Sequence, residues 1–410
     1  MTSVPLFTAF KGEHFADPTS LARRLAPPYD VIGPSQRAVI AALDPANIVH
    51  VDLPLAPEDG DPYRVASETL AVWRAAGTMA REKTPSAYVL RTTTALPDGG
   101  IRSRTGAFLA LSAEPFSAGR VLPHEKTHAG PKEDRRRLMH ATGCNLSPVF
   151  VLAPDVSGEL ESLLAEIGRM APWATCEAIG ATQEVWIVGG ARAERIANVA
   201  GEAPVYIADG HHRFETSVLF RDEAPSAWRR GAARTLAHVV SFQDPGLAIL
   251  PTHRIVHGAP LSREAFLAAA HPYFTLAPDA GEATLTVLFA DCAEVPLRLR
   301  PGADLSGLRD LPAHPAVRDL AVTLSDVLVI RGIAAKLMQR APALGYTADA
   351  AEARAAACGA ECAFAVLLPP TRMEEVRRVA DAGQVMPQKS TFFAPKIPTG
   401  VVIRRFDGED

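Results

Sequence analysis

The sequence predicts an α/β protein of mixed α+β character, and three observations predict it. Hydrophobic residues make up 48% of the 410-residue chain and charged residues 21%, enough apolar surface for packed cores. Aromatics are only 6%, so Ala, Val and Leu carry the packing, which suits helices laid on sheet. Short apolar runs also alternate with helical periodicities through the middle of the chain, the pattern of a layered α/β core. The 34 prolines punctuate short elements, as strand-to-helix transitions require.

Taken in order, Asn47 to Leu53 reads as a strand, and Pro62 to Met79 as a helix spaced on Val65, Leu70, Val72 and Trp73. Ala87 to Thr94 and Ile101 to Leu111 read as two strands joined by the turn Pro97-Asp98-Gly99-Gly100, a hairpin signal. Pro115 to Pro131 is rich in Pro and Gly and reads as a loop, followed by a helix from Lys132 to His140. The strand Val149 to Leu152 opens an alternation: helix 157–169, strand 184–188, helix 191–199, strand 204–208, helix 212–220 and strand 235–242. Beyond about residue 260 an α+β portion follows, with strands at Thr284 to Phe289 and Cys362 to Leu368 and a largely helical 315–340. The organisation expected is an N-terminal α/β segment (1–115), a core with the phosphate-binding site (116–260) and a C-terminal α+β segment (261–410), with room for the chain to wrap back.

Composition narrows the function classes. The formal net charge is −4, against the basic surplus of a protein that holds nucleic acid through its phosphates. The run Arg135-Arg136-Arg137 sits beside Glu133 and Asp134 and reads as a solvated helix face. The five cysteines (Cys144, Cys176, Cys292, Cys358, Cys362) are odd in number and scattered, so all are expected to be reduced and mostly packing. The N-terminal Met1-Thr2-Ser3-Val4-Pro5 has no signal-peptide pattern, and no apolar run approaches the roughly 20 residues of a membrane span. The expected compartment is the cytoplasm, with no nucleic-acid or membrane partner.

The most function-like feature is Asp209-Gly210-His211-His212-Arg213, between the apolar run Val205 to Ala208 and the helix. Free N–H groups of a first helical turn and the helix dipole favour an anion. Gly210 permits an unusual backbone angle and close approach of a ligand. Arg213 offers a forked donor for phosphate or carboxylate. Asp209 caps the helix or serves as an oxygen ligand for Mg²⁺. The plainer alternative is an ordinary capped helix with two surface histidines.

Pro123-His124-Glu125-Lys126-Thr127-His128 spells H-E-x-x-H, the zinc-peptidase pattern, which needs a continuous helix. Pro123 before it and Gly130-Pro131 after it bracket the segment too closely, so no zinc is expected. A loop presenting Glu125 as a base, with His124 and His128 as polar contacts, fits better. Asp30 in Pro27-Pro28-Tyr29-Asp30, His253 and Arg254 after Pro251-Thr252, and Lys389 in Gln388-Lys389-Ser390-Thr391 are accessory candidates, each equally readable as a structural turn. The chain has no G-x-x-x-x-G-K-[ST] loop, no kinase H-R-D with D-F-G, and no complete G-x-G-x-x-G after Gly189-Gly190.

The segments PPYDVI (27–32), NIVHVDLP (47–54), LPHEKTHAGPKEDR (122–135), NLSPVF (145–150), YIADGHHRFET (206–216), LAILPTHR (247–254) and MPQKSTFFAPK (386–396) resemble a widespread bacterial family catalogued as a domain of unknown function. The D-G-H-H-R box also resembles the phosphate-binding box of the ParB/sulfiredoxin-like superfamily. The free L-serine kinases of that superfamily carry a similar D-G-H-x-R box and an upstream glutamate in an H-E context. The resemblance implies a ParB/sulfiredoxin-like core with additional α/β segments. It implies a kinase that uses ATP or ADP and Mg²⁺ to phosphorylate a small hydroxyl, free L-serine first. Glu125 would be the base, Asp209 the catalytic Mg²⁺ ligand, Gly210 to Arg213 the phosphate box, and His124 the residue before the base. Two other readings stand beside it: a non-catalytic nucleotide-binding regulator, and a zinc hydrolase on His124, Glu125 and His128.

Overall fold

The protein is described here from a computed structural model covering residues 4–58, 60–97, 99–126, 130–279, 281–308 and 310–407. These residues form two units. One draws on Met1–Pro123, Thr127–Leu247 and Pro395–Asp410, the other on His124–Lys126 and Ala248–Ala394.

The first unit is built on a mixed sheet of nine strands among the described residues. From one edge they run Val121–Leu122, Val205–Asp209, Val149–Ala153, Arg234–Ser241, Ile101–Ser112, Ser86–Ala95, Ala181–Gly189 and Ala174–Ala178, with Phe7–Thr8 paired to Ile101–Ser112. Val149–Ala153 lies parallel to Arg234–Ser241 and antiparallel to Val205–Asp209. Strand residues alternate between the two faces. Val149, Val151, Val205, Ile207, Ala237 and Val239 enter one core, against Leu160 and Leu164 of helix Glu159–Ile167 and Ile196 of helix Gly190–Ala200. Phe150 and His238 belong to the other face, where their rings meet edge to face. The hairpin forms as expected, with Ala95 opposite Ile101, and the β–α alternation from 149 to 241 is present throughout.

One expectation in this unit is corrected, and one strand went unread. Asn47 to Leu53 is not a strand but contains the short helix Val49–Asp52. The Asn47 side chain accepts from Val49 N and donates to Arg23 O and Leu25 O, a local turn that competes with extended backbone. Buried Asp52 then meets Arg135 at 3.1 Å and Ser147 Oγ at 2.8 Å. Strand Ala174–Ala178 escaped notice because its outward Thr175 and Glu177 leave only Ala and Cys as its apolar signal.

The second unit carries a six-stranded antiparallel sheet in the order Phe274–Leu276, Glu294–Leu299, Leu285–Leu288, Cys362–Leu367, His253–His257 and Ala343–Thr347. A separate ribbon pairs Ala248–Leu250 with Phe392–Ala394. The helical stretch expected over 315–340 is broken into Pro315–Arg318 and Ala321–Leu324, then a π-helix Ser325–Ala334 running into Ala335–Met338. The π segment is buried at Val327, Leu328, Val329 and Ile330, so packing on several sides replaces a single apolar stripe. The expectation of five reduced cysteines is also corrected: Cys292 and Cys358 form a disulfide, while Cys144 and Cys362 are free and buried. Among the described residues no helix is long and apolar enough to cross a membrane.

Strand packing in the first unit depends on Gly106. A Cβ there would come within 2.4 Å of His238 Cε1 and 2.6 Å of Val239 O. Gly106→Ala is expected to cost roughly 1–3 kcal/mol by overpacking, read as a lower urea midpoint. Gly307→Ala, with nothing within 4 Å, should stay within about 0.5 kcal/mol. Equal midpoints for the two variants would contradict this.

His238 is buried, and neither ring nitrogen has a hydrogen-bond partner among the described residues. Burial, then the charge of Arg104, holds its pKa well below the ordinary value. The unfolded chain therefore binds a proton near pH ~6.5 that the folded chain refuses. Stability contributed by neutral His238 is intact above that pH and falls as pH drops below it, by up to about 1.4 kcal/mol per pH unit. Equilibrium unfolding from pH 7 to 5 should show a shallower slope in His238→Leu than in wild type.

Candidate functional site

Strand Val205–Asp209 ends on an irregular register between Ile207 and Asp209. Gly210 follows with φ 87°, in the left-handed region, and helix His211–Glu223 begins. Gly210 occupies the N-cap position and brings no side-chain hydrogen bond, so Asp209 does not stand at the cap. Both carboxylate oxygens are engaged elsewhere. Oδ1 accepts from Lys396 Nζ at 2.7 Å, and Oδ2 from Arg213 Nη2 at 2.5 Å. Gly210 serves the turn and the arginine together, because an added Cβ would lie 3.0 Å from both Cζ and Nε of Arg213. The space over the glycine is filled by that guanidinium rather than left for a ligand.

Arg213 is directed into the protein, with its side chain only 7% exposed. Its Nη1 donates to Pro148 O, and its Nη2 also lies 4.0 Å from Oδ2 of Asp30. Its Nε has no hydrogen-bond partner among the described residues. Burial alone would raise the Asp209 pKa; Lys396 and then Arg213 outweigh it and hold the carboxyl well below the usual range. Deeper still, fully buried Arg104 donates to Pro395 O at 2.7 Å and stands 4.8 Å over the Phe150 ring. Burial lowers its pKa to about 10, with Asp244 and Asp209 opposing. His211 is buried and His212 half-buried in the first turn.

Behind Arg213, Asp52, Arg135, Ser147, Ser217 and Thr235 help to line a cavity of about 40 Å³. That is room for water and too little for a nucleotide. Tyr29, under Arg135 at 3.9 Å, is pushed up to about 12 by burial. The first turn of the helix, with the dipole behind it, and the cationic group at Lys396 lie beside this carboxylate. One protein carboxylate suits a Mg²⁺ ion that arrives on phosphates and takes few protein ligands. Among the described residues no group of three or more His, Cys, Asp or Glu is placed to hold a metal.

The second unit gathers other candidates around residues 386–391. Glu125 pairs with Met386 in an isolated parallel bridge, and the His124 carbonyl accepts from Met386 N at 2.8 Å. The continuous helix required by the zinc-peptidase pattern is not formed at 124–126, and His128 lies outside the described residues. His124 is buried, with Nε2 3.1 Å from Thr391 Oγ1. Glu125 Oε1 accepts from the backbone N–H of exposed Lys389 at 2.8 Å. Lys389 has φ 55°, and Arg254 holds its carbonyl from the other side at 3.0 Å. Arg254 is wholly buried, donating also to Asp326 at 3.1 Å and to Thr252 O at 2.5 Å. His253 Nδ1 accepts from Leu368 N, and burial lowers its pKa to about 4.

The structure thus brings Asp30, Asp209, Gly210 and Arg213 together in one unit, and His124, Glu125, Arg254 and Lys389 in the other. Sequence reasoning quoted Lys396 within the segment 386–396 but gave it no role at this corner. Its signal was present: a single charge bracketed by prolines in the apolar run Phe392-Phe393-Ala394-Pro395-Lys396-Ile397-Pro398.

The family resemblance carried by the motifs holds. A family model described as "Protein of unknown function (DUF1015)" matches residues 7–323. No curated protein matches the chain. Similar solved structures include a conserved hypothetical protein from Pyrococcus furiosus, 13% identical, with TM-score 0.38 over 73% of this chain and 95% of that one. They also include a free serine kinase in complex with AMP, 15% identical, with TM-score 0.37 over 72% and 92%. SbnI with a C-terminal truncation, from Staphylococcus aureus, is 11% identical with TM-score 0.39 over 74% and 90%. The match to the family model extends over most of the chain, and the protein belongs to the DUF1015 family.

Proposed function

We propose that the chain is a nucleotide-dependent phosphotransferase that phosphorylates the hydroxyl of a small molecule, free L-serine being the first candidate. The observation that carries this reading is the corner at Asp209. A helix N-terminus follows a left-handed glycine, beside a carboxylate kept ionised by Lys396 and Arg213. Such a corner takes a phosphate through backbone N–H groups of the first turn, the helix dipole and a nearby cation. Phosphoryl transfer depends on positioning and charge stabilisation more than on covalent chemistry by the protein.

In the reaction proposed, the acceptor oxygen forms a bond to the terminal phosphorus of ATP or ADP. The bridging P–O bond breaks toward the departing nucleotide, and Glu125 accepts the hydroxyl proton. Asp209 is the residue that would meet Mg²⁺, which when bound supplies neutralisation of phosphate charge. Arg213, turned inward, fixes Asp209. A second reading, nucleotide binding without turnover, is favoured by one observation: Glu125 already anchors the Lys389 N–H, a structural use of the proposed base.

The discriminating experiment incubates the protein with ATP or ADP, Mg²⁺ and a panel of small alcohols and amino acids, and follows phosphorylated product. Product supports the first reading; tight nucleotide binding with no product from any acceptor supports the second. Given turnover, Glu125→Gln retains an oxygen for the Lys389 N–H. It should keep nucleotide affinity while losing about 10²–10⁴-fold in rate; near-wild-type turnover would remove Glu125 from the chemistry. Asp209→Asn should behave differently. Calorimetry should show that the increment of nucleotide affinity due to Mg²⁺ disappears, since an amide brings no charge to the metal. An unchanged Mg²⁺ increment would free Asp209 of that role.

A further inference from the structure

The two cations on Asp209 are not equivalent, and the difference assigns a residue within the nucleotide reading, on which this inference rests. Arg213 is closed in by Pro148 O, Asp209, Asp30 and the backbone of Gly210. A ligand could reach its guanidinium only by displacing these groups. Lys396 stands on the other oxygen of Asp209, its side chain 15% exposed against 7% for Arg213. Lysine carries a compact charge on a flexible four-carbon stem, suited to moving from one anion to the next.

The backbone beneath Lys396 is fixed. Pro395 and Pro398 restrict the chain on both sides. Buried Arg104 holds the Pro395 carbonyl at 2.7 Å. Ile397 is buried, and Thr399 exchanges two backbone hydrogen bonds with Ala26. An ordinary surface ion pair contributes little to stability and needs no such base. A flexible cation on a rigid base, beside the N-terminus of helix His211–Glu223, suits an anion that arrives and leaves.

We propose that Lys396, rather than Arg213, is the side-chain cation that contacts the nucleotide phosphates, with Asp209 holding it in place before the nucleotide binds. The ligand class is a nucleoside di- or triphosphate, recognised through phosphate charge.

The test is calorimetric titration of the whole protein with ADP and with adenosine, for wild type, Lys396→Met and Lys396→Arg. Lys396→Met should weaken ADP binding about tenfold to a hundredfold, the worth of one or two charge-assisted bonds. Lys396→Arg should recover part of the loss, and any adenosine affinity should not change. A purely structural ion pair would lower Tm while leaving the ratio of ADP to adenosine affinity alone. ADP affinity within twofold of wild type in Lys396→Met overturns this inference and leaves the nucleotide reading standing. Wild type that binds neither ADP nor ATP overturns both. Should Lys396→Met fail to fold, amine-reactive labelling of wild type read by mass spectrometry decides instead. Protection of Lys396 by ADP and not by adenosine supports the assignment, and equal labelling in both overturns it.

Discussion

The corner of the first unit depends on one half-buried carboxylate shared between two cations. Asp209 remains ionised because Lys396 and Arg213 each take one of its oxygens, offsetting the desolvation its position imposes. Several local choices follow. Residue 210 is glycine because the guanidinium of Arg213 lies against it and because its φ is 87°. The chain after residue 394 returns to this unit, which sets Lys396 against a residue 187 positions earlier in sequence. Arg104 is buried where it holds the Pro395 carbonyl. Removing one member would leave its partner charged and poorly solvated, a larger loss than the net worth of the pair itself.

Much of the fold was legible because burial imposes periodicity on strands. Val149, Val151, Val205 and Ile207 face one core, and apolar runs of this kind announced the central sheet. Where side chains rewrite the backbone, periodicity misleads. Asn47 turns an apolar run into helix by binding three backbone groups. The π-helix Ser325–Ala334 is buried on too many sides to show a stripe. At the site, the D-G-H-H-R box was legible as a strand-to-helix corner, since its types and order are local. That Arg213 faces inward was not, because its closest carbonyl partner, Pro148, lies 65 residues away. The role of Lys396 beside Asp209 escaped for the same reason.

The second unit repeats this logic around Lys389. A non-glycine residue with φ 55° costs on the order of 1 kcal/mol or more and persists where its surroundings over-determine it. Here they do. Glu125 accepts from its N–H, Arg254 donates to its carbonyl, and the carbonyls of Pro387 and Ser390 accept from Ser390 Oγ and Thr371 Oγ1. Arg254 is itself fixed by Asp326 and by the Thr252 carbonyl. A carboxylate held by a backbone N–H keeps its position and retains lone pairs for other partners, so anchoring Glu125 and using it as a base are compatible chemistries.

The contrast between arginine and lysine at Asp209 is the last step of the argument. A planar guanidinium suits a buried role, because its fixed fork can satisfy a carbonyl and a carboxylate at once. An ammonium on a long stem is a poorer strut and a better exchangeable charge. Asp209 joins the two: Arg213 fixes its position, and it fixes Lys396 in turn. A phosphate entering beside the helix N-terminus would compete with Asp209 for the lysine but could not easily reach the arginine. The carboxylate would then be released from one cation, which is the state in which a phosphate-borne divalent ion could approach it. Lys396 would pass from one anion to another without being left unpaired, which suits a ligand that must also leave.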